Sequence, residues 1–430
     1  MPTLRTASSF WPAAPMPPIP KTGATPSGGS LGGAGAAARA SRHARTLAHA
    51  LDRPVTPGNR VEVLIDGPAT YEAMFAAIDA ARDHINIESY IVEADGPGDE
   101  LARRLIAKRR QGVKVNLLYD GFGSVRTSAQ YFEQLRRAGV ELCEYNPLSP
   151  LKNTLSRALH LRDHRKLLIV DGRVAFTGGI NISSVYSAPS SATAGRRASE
   201  ESEWRDTHVR VEGPVVATLQ RLFLDHWCGQ THGAAQRARY FPQLRAVGEH
   251  HVGVAACDAG RRRNPFYRAL LRAIATAEQR IWVTVAYFVP TRRLLRALCA
   301  AARRGVDVRL VLPGISDSWA AMHAGRAHYG RLLRAGVRIY ERHDALLHAK
   351  TTVIDGVWST VGSSNLDWRS FLHNAEANVV VLDAGFADAL EKVFQRDLQC
   401  STEVQLSDWR GRGWKAKSLE WLAARFEFLL

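Results

Sequence analysis

One pattern occurs twice in this chain with every offset kept: His164, Lys166, Asp171 and Asn181 in the first half, His348, Lys350, Asp355 and Asn365 in the second. A duplication of this kind constrains the fold strongly, because two similar halves must each build the same local structure. After each His-x-Lys unit come branched and apolar residues, Leu167 to Val170 and Thr351 to Ile354, which read as buried strands. Side chains on a strand alternate faces, so His164 and Lys166 point the same way, as do His348 and Lys350. Each strand then meets an Asp-Gly pair, Asp171-Gly172 or Asp355-Gly356, and a second apolar stretch, which predicts a hairpin. The return strands end in Gly178-Gly179-Ile180-Asn181 and Gly362-Ser363-Ser364-Asn365, where small residues allow close approach of a ligand and each Asn offers an amide.

The repeat extends beyond these strands. Helix, strand, helix and strand are predicted at Tyr71 to Arg82, Ile85 to Val92, Glu100 to Gln111 and Val113 to Tyr119. The same order returns at Pro265 to Glu278, Ile281 to Val289, Leu294 to Arg304 and Val306 to Leu312. The chain of 430 residues is long enough for two cores. The expected fold is therefore an α/β sandwich in each half, the halves apposed about a pseudo-twofold axis around one shared site. Expected boundaries are a disordered basic tail over residues 1–55, a first half over 56–240 and a second over 241–430 ending in an amphipathic helix.

Taken singly, a His beside a Lys fits a structural network as well as a site, and Asp-Gly turns occur in any hairpin. Packing gives no reason to repeat His, Lys and Asn at the same offsets, and the repetition is what argues for function. The two motifs resemble the HKD signature of the phospholipase D superfamily. The stretches Ile85 to Ile91, Trp204 to Gly213, Ala286 to Pro290 and Gly362 to Ser370 are similar to bacterial cardiolipin synthases, in particular to the branch without N-terminal membrane anchors.

Composition fits that resemblance without requiring it. The net charge of +16 calls for an anionic partner, and anionic lipid and nucleic acid both qualify. No interleaving of aromatic and basic residues marks a nucleic-acid groove, so a nucleic acid is the disfavoured partner. The first 50 residues are rich in Pro, Ala, Gly and Ser and contain no acidic residue before Asp52, which predicts disorder. No 18-residue apolar run and no signal-peptide pattern occur, so the expected location is cytoplasmic and peripheral on the inner membrane. From Lys415 onward, Leu419, Leu422, Ala423, Phe426 and Leu430 follow helical spacing, a stripe suited either to the protein's own core or to a lipid interface. Cys143, Cys228, Cys257, Cys299 and Cys400 are scattered and form no Cys-x-x-Cys pair, which suits free thiols in a reducing compartment. No metal-ligand spacing is present, and neither metal nor cofactor is expected.

A phosphodiester repels nucleophiles and gains charge on its oxygens during attack, so Lys166, Lys350, Asn181 and Asn365 are suited to stabilise that charge. The resemblance implies that one imidazole attacks phosphorus while the other serves as acid and base. It assigns His164 to the first role and His348 to the second, and the near-symmetry of the halves leaves the reverse open. Asp171 and Asp355 belong to the signature, yet their place at hairpin turns points to mainly structural roles. Better orienting acceptors for the imidazoles are Asp206 and Glu376, on the strands that follow. Ser363 matches the family's Gly-Ser-x-Asn, whereas Gly179 departs from it. The resemblance implies phosphatidyl transfer to phosphatidylglycerol from a second phosphatidylglycerol or from phosphatidylethanolamine. A phosphodiesterase or nuclease, and a non-catalytic anionic-lipid-binding protein, are the alternatives. Oligomeric state is not legible.

Overall fold

A computed structural model describes residues 31–148, 160–190, 203–231, 240–261 and 263–427. Leu430 of the expected apolar stripe lies outside the described residues.

The architecture is mixed α/β, and strand order makes the duplication visible. From one edge to the centre run Glu141–Tyr145, Lys114–Asp120, His84–Ser89, Leu167–Val170, Val174–Gly178, Thr207–Glu212 and Thr56–Ile65. From the centre to the other edge run His250–Cys257, Glu376–Leu382, Trp358–Gly362, Lys350–Ile354, Arg280–Val285, Asp307–Pro313 and Arg338–Arg342, with Ser401–Glu403 added outside. The two lists match position by position. They meet where Thr56–Ile65 pairs antiparallel with His250–Cys257, through Thr56 with Val252 and Asn59 with His250, as a twofold relation between equivalent strands requires.

Apolar strands with helices on their faces bury three layers of side chains. One core lies in each half, and a central one combines Val209 and Val211 of the first half with Val361 and Val379 of the second. The helices Val216–Thr231 and Ala384–Gln399 contribute Leu219, Phe223, Phe386 and Leu390 to that central core.

Both predicted hairpins are present. Asp171 and Gly172 have φ of 51° and 63°, Asp355 and Gly356 of 55° and 63°, the paired positive values of a tight turn that Arg173 N–H closes on Val170 O and Val357 N–H on Ile354 O. The Asp side chains stabilise these turns. Asp171 accepts from the backbone N–H of Arg82, Asp83 and His84 at 2.8–2.9 Å. Asp355 accepts likewise from Glu278, Gln279 and Arg280.

Two expectations are corrected. Residues 31–48 of the expected disordered tail form a helix, Leu31–Ala48, which docks on the second half. Leu47, Ala50 and Leu51 join the core there, and the buried His43 Nε2 lies 3.1 Å from Asp355. Residues 1–30 are outside the described set. The apolar segment Ile281 to Val289 is also a shorter strand than expected, since Arg280–Val285 ends before Tyr287 turns toward the site.

The C-terminal helix Trp414–Arg425 divides the predicted apolar stripe. Ala423 packs with Val289, Ala321 and Ala324, while Leu419, Trp421, Leu422 and Phe426 are exposed. Among the described residues no helix is long and apolar enough to cross a membrane. All five cysteines are free thiols.

Candidate active site

The two motif histidines reach one cavity of about 440 Å³, lined also by Tyr90, Asn181, Trp204, Tyr287, Asn365 and Arg369. Backbone pairing between the halves brings them there. His164 N–H donates to Ala375 O at 2.9 Å, and Ala375 N–H donates to Arg162 O at 2.8 Å. On the other side Leu346–Leu347 pairs parallel with Trp204–Arg205, and His348 N–H donates to Arg205 O at 2.8 Å. Each histidine is thus zipped to a segment of the opposite half.

The acidic partners follow from that zipper. Glu376 begins the strand after Ala375, and its Oε2 lies 3.2 Å from His164 Nδ1, which also lies 3.1 Å from Ser363 O. Asp206 follows Arg205, and its Oδ2 lies 2.6 Å from His348 Nδ1. Both carboxylates named from sequence therefore meet an imidazole, each one from the other half. With Nδ1–H donated to the carboxylate, Nε2 of each ring keeps its lone pair.

Lys166 and Lys350 are buried, and each ammonium donates to the carbonyl of its own histidine, His164 or His348. Burial pushes the Lys166 ammonium down to about 7 and the Lys350 ammonium down to about 8, against the pull of the nearby Glu376 and Asp206 carboxylates. Burial, followed by the neighbouring ammonium charges, also lowers both imidazoles. Burial raises Asp206 to about 6. The site is therefore short of negative charge.

The two amides occupy equivalent places. Asn181 Oδ1 accepts from Ile91 N–H at 3.2 Å and Asn365 Oδ1 from Tyr287 N–H at 3.3 Å, which turns both NH₂ groups away from those loops. The hydroxyl of Ser363 donates to Glu376. Gly179 replaces that serine for a steric reason: a Cβ there would overlap the Asp206 carboxylate. Asp171 and Asp355, grouped with the site in sequence, hold the hairpin turns and do not line the cavity.

Three aromatic residues were not singled out by sequence. Tyr186 OH lies 3.2 Å from His348 Nδ1 and accepts from Asn181 Nδ2 at 3.2 Å. Tyr90 packs edge-on to His164 at 5.1 Å and sits under the Lys166 ammonium at 5.2 Å. Trp204 lies 4.9 Å from His348. Tyr90 and Trp204 fall within stretches that carry the resemblance, but nothing in their spacing marks contact with an imidazole.

Behind the first motif, Glu88, Asp163 and His226 come close enough to hold a cation. They lie far apart in sequence, so no ligand spacing announced them. The buried Arg165 guanidinium, 3.5 Å from Glu88 and 2.8 Å from Asp258, already supplies positive charge there. The donor set therefore fits a protein cation better than a metal.

The profile of a family described as "Cardiolipin synthase, PLD-like domain" matches residues 74–187 and 270–398, one segment in each half. A cardiolipin synthase of Alkalihalophilus pseudofirmus is 35% identical over 370 residues, covering 85% of this chain and 71% of that protein. One of Geobacillus kaustophilus is 35% identical over 370 residues, 85% of this chain and 72% of that protein. The crystal structure of phosphatidylserine synthase from Haemophilus influenzae Rd KW20 superposes with a TM-score of 0.68 over 90% of this chain and 99% of that one, at 14% identity, a likeness of fold. Taken with the duplicated site, these matches show that the chain belongs to the phospholipase D-like cardiolipin synthase family and is an enzyme of phosphatidyl transfer.

Proposed function

We propose that the chain forms cardiolipin by moving a phosphatidyl group onto phosphatidylglycerol, from a second phosphatidylglycerol or from phosphatidylethanolamine, through a phosphatidyl-histidine intermediate. The observation that carries this reading is the pair of imidazoles facing one cavity, each with its Nδ1 committed to a carboxylate of the other half.

In the first step His164 Nε2 attacks phosphorus. The N–P bond forms, the P–O bond to the head alcohol breaks, and His348 gives its Nε2 proton to the leaving oxygen. In the second step the free primary hydroxyl of phosphatidylglycerol attacks the same phosphorus. A P–O bond forms, the P–N bond breaks, and the hydroxyl proton passes to His348. One phosphodiester replaces another, and no outside energy source is required.

The electrostatics of the site support this sequence. Burial, and after it the ammonium charges of Lys350 and Lys166, disfavour the protonated His348 imidazole. A bound phosphate anion offsets those charges and raises His348 toward the range where it carries a proton. The same anion steadies both ammonium groups, and Asn181 and Asn365 add neutral donors. Losing one preorganised donor of this kind typically costs about 3 kcal/mol of transition-state stabilisation.

We assign the chain a peripheral position on an anionic bilayer. Its C-terminal helix offers Trp421, Leu422 and Phe426 to solvent beside Lys415, Lys417 and Arg425.

The test uses vesicles of phosphatidylglycerol, with and without phosphatidylethanolamine, with lipids followed by mass spectrometry and His164→Ala and His348→Ala proteins as controls. Cardiolipin that requires both histidines is expected, and co-release of glycerol or ethanolamine names the donor. Phosphatidic acid alone would make the chain a phospholipase, and unchanged lipids would redirect attention to nucleic-acid phosphodiesters.

A further inference from the structure

We propose that Arg369 binds the phosphodiester of the acceptor lipid, forming a second anion subsite in the same cavity that favours transfer over hydrolysis. The inference rests on the proposed transfer reaction.

Two arginines, Arg162 and Arg369, line the cavity, and the two motif lysines lie behind its histidines. Arg162 is tied to Asn146 O at 3.0 Å and to Asp120 at 3.4 Å. Lys166 and Lys350 donate to the carbonyls of their own histidines and belong to the donor phosphate. Arg369 is half-buried and lines the cavity, and its guanidinium has no hydrogen-bond or ion-pair partner among the described residues. The Arg369 charge favours the ionised form of the buried Asp367 carboxylate without forming an ion pair with it, and the acidic groups nearby have other donors. Asp367 accepts from Ser370 N–H at 2.7 Å, and both carboxylate oxygens of Asp317 accept from Tyr287 OH at 2.7–2.8 Å.

The chemistry supplies the need. Phosphatidylglycerol brings its own phosphodiester anion when its free hydroxyl attacks, and in the product a single glycerol bridge joins the two phosphates. The second anion must therefore sit inside the cavity, close to the first, where repulsion in a poorly solvated space is costly. An unpaired guanidinium offers two parallel N–H donors that match two phosphate oxygens. Asn374 lines the same cavity, and its buried Oδ1 has no partner among the described residues, so it can accept from the glycerol bridge. Water as acceptor carries no charge and makes no use of Arg369.

The experiment compares wild type, R369Q and R369K on phosphatidylglycerol vesicles, offering two soluble acceptors, neutral glycerol and anionic glycerol phosphate. Both acceptors are isotope-labelled, so that exchange of glycerol into phosphatidylglycerol is visible. Transfer to each acceptor and release of phosphatidic acid are measured together. R369Q is expected to lower transfer to glycerol phosphate by about tenfold to a hundredfold, raising its apparent KM. The loss with glycerol phosphate should exceed any loss in transfer to glycerol or in hydrolysis by about tenfold or more, and R369K should recover part of it. Equal loss with both acceptors, or loss with neither, would overturn the assignment. A wild-type protein that releases phosphatidic acid and transfers to no alcohol would instead overturn the proposed function, and the subsite with it.

Discussion

His348 Nδ1 lies 2.6 Å from the Asp206 carboxylate, a group of the opposite half of the chain. His164 and Glu376 repeat the crossing in the other direction at 3.2 Å. Each half therefore orients the imidazole of the other, and neither half holds a complete site. Asp206→Asn keeps the shape but offers an amide where the ring nitrogen needs an acceptor, so the ring loses its tautomer. Turnover should fall about 10²- to 10⁴-fold, as for carboxylates that orient a catalytic histidine elsewhere, with stability little changed. Glu376→Gln should behave alike. Lipid turnover by either protein at the wild-type rate would remove these carboxylates from the mechanism.

The two lysines set an alkaline limit. Burial pushes the Lys166 ammonium down to about 7 and the Lys350 ammonium down to about 8. An ammonium is present below its pKa and lost above it, so affinity for an anion declines as pH rises through this range. Binding of an unreactive dialkyl phosphate, whose own charge is constant there, should weaken by up to about tenfold per pH unit for each lysine that must be protonated. Calorimetry in buffers of different ionisation enthalpy should show proton uptake on binding at pH near 8. An affinity that is flat across this range would show that the lysines do not provide the anion's countercharge.

Asp397 secures the segment that carries Asp206. Its carboxylate accepts from Arg205 Nε at 2.8 Å and Nη2 at 3.0 Å, and from Arg342 Nη1 at 2.7 Å, with all three side chains buried. Asp397→Ala leaves two guanidinium groups facing each other in the interior. Arg342 is still paired with Asp344 at 2.7 Å and Arg205 lies only 3.7 Å from Asp66, so the loss should fall at the lower end for a broken buried pair. Removing one partner of a buried ion pair costs about 3–5 kcal/mol, so urea unfolding should show a loss of that order. A loss below about 1 kcal/mol would mean that water replaces the carboxylate.

Much of this arrangement was legible in the chain, for reasons that individual residues make plain. Strand alternation placed His164 with Lys166 and His348 with Lys350, and the Asp-Gly pairs fixed both hairpins, because these rules depend on neighbours alone. Asp206 and Glu376 could be named, but which imidazole each one serves could not. The answer depends on backbone pairing between distant segments, Ala375 with Arg162 and His164, Leu347 with Arg205. Tyr186 was missed for the same reason, since it meets His348 only through the tertiary fold. The helix Leu31–Ala48 was hidden by averaging. The Pro-rich beginning of the chain dominated the composition of the first fifty residues, whereas the segment after Gly35 is Ala-rich and carries His43 and Leu47 where docking needs them.

The C-terminal helix makes the final test. Ala423 faces Val289, Ala321 and Ala324, and Tyr287 and Trp368 pack against that cluster. Tyr287 lines the cavity, and Trp368 lies between Asp367 and Arg369, which line it too. The helix is thus fastened beside the cavity, with Trp414, Leu419, Trp421, Leu422 and Phe426 facing outward among Lys415, Lys417 and Arg425. Aromatic and basic residues on one exposed face suit the boundary between headgroups and acyl chains of an anionic bilayer. Removing two large apolar side chains from such an interface should cost about 3 kcal/mol, roughly a hundredfold in partitioning. The Trp421→Ala, Leu422→Ala double variant should therefore leave sedimenting phosphatidylglycerol vesicles, yet retain turnover on short-chain monomeric lipid. Unchanged vesicle binding would move the membrane contact to another face. Loss of turnover on the monomeric lipid would show that the helix supports the cavity wall itself.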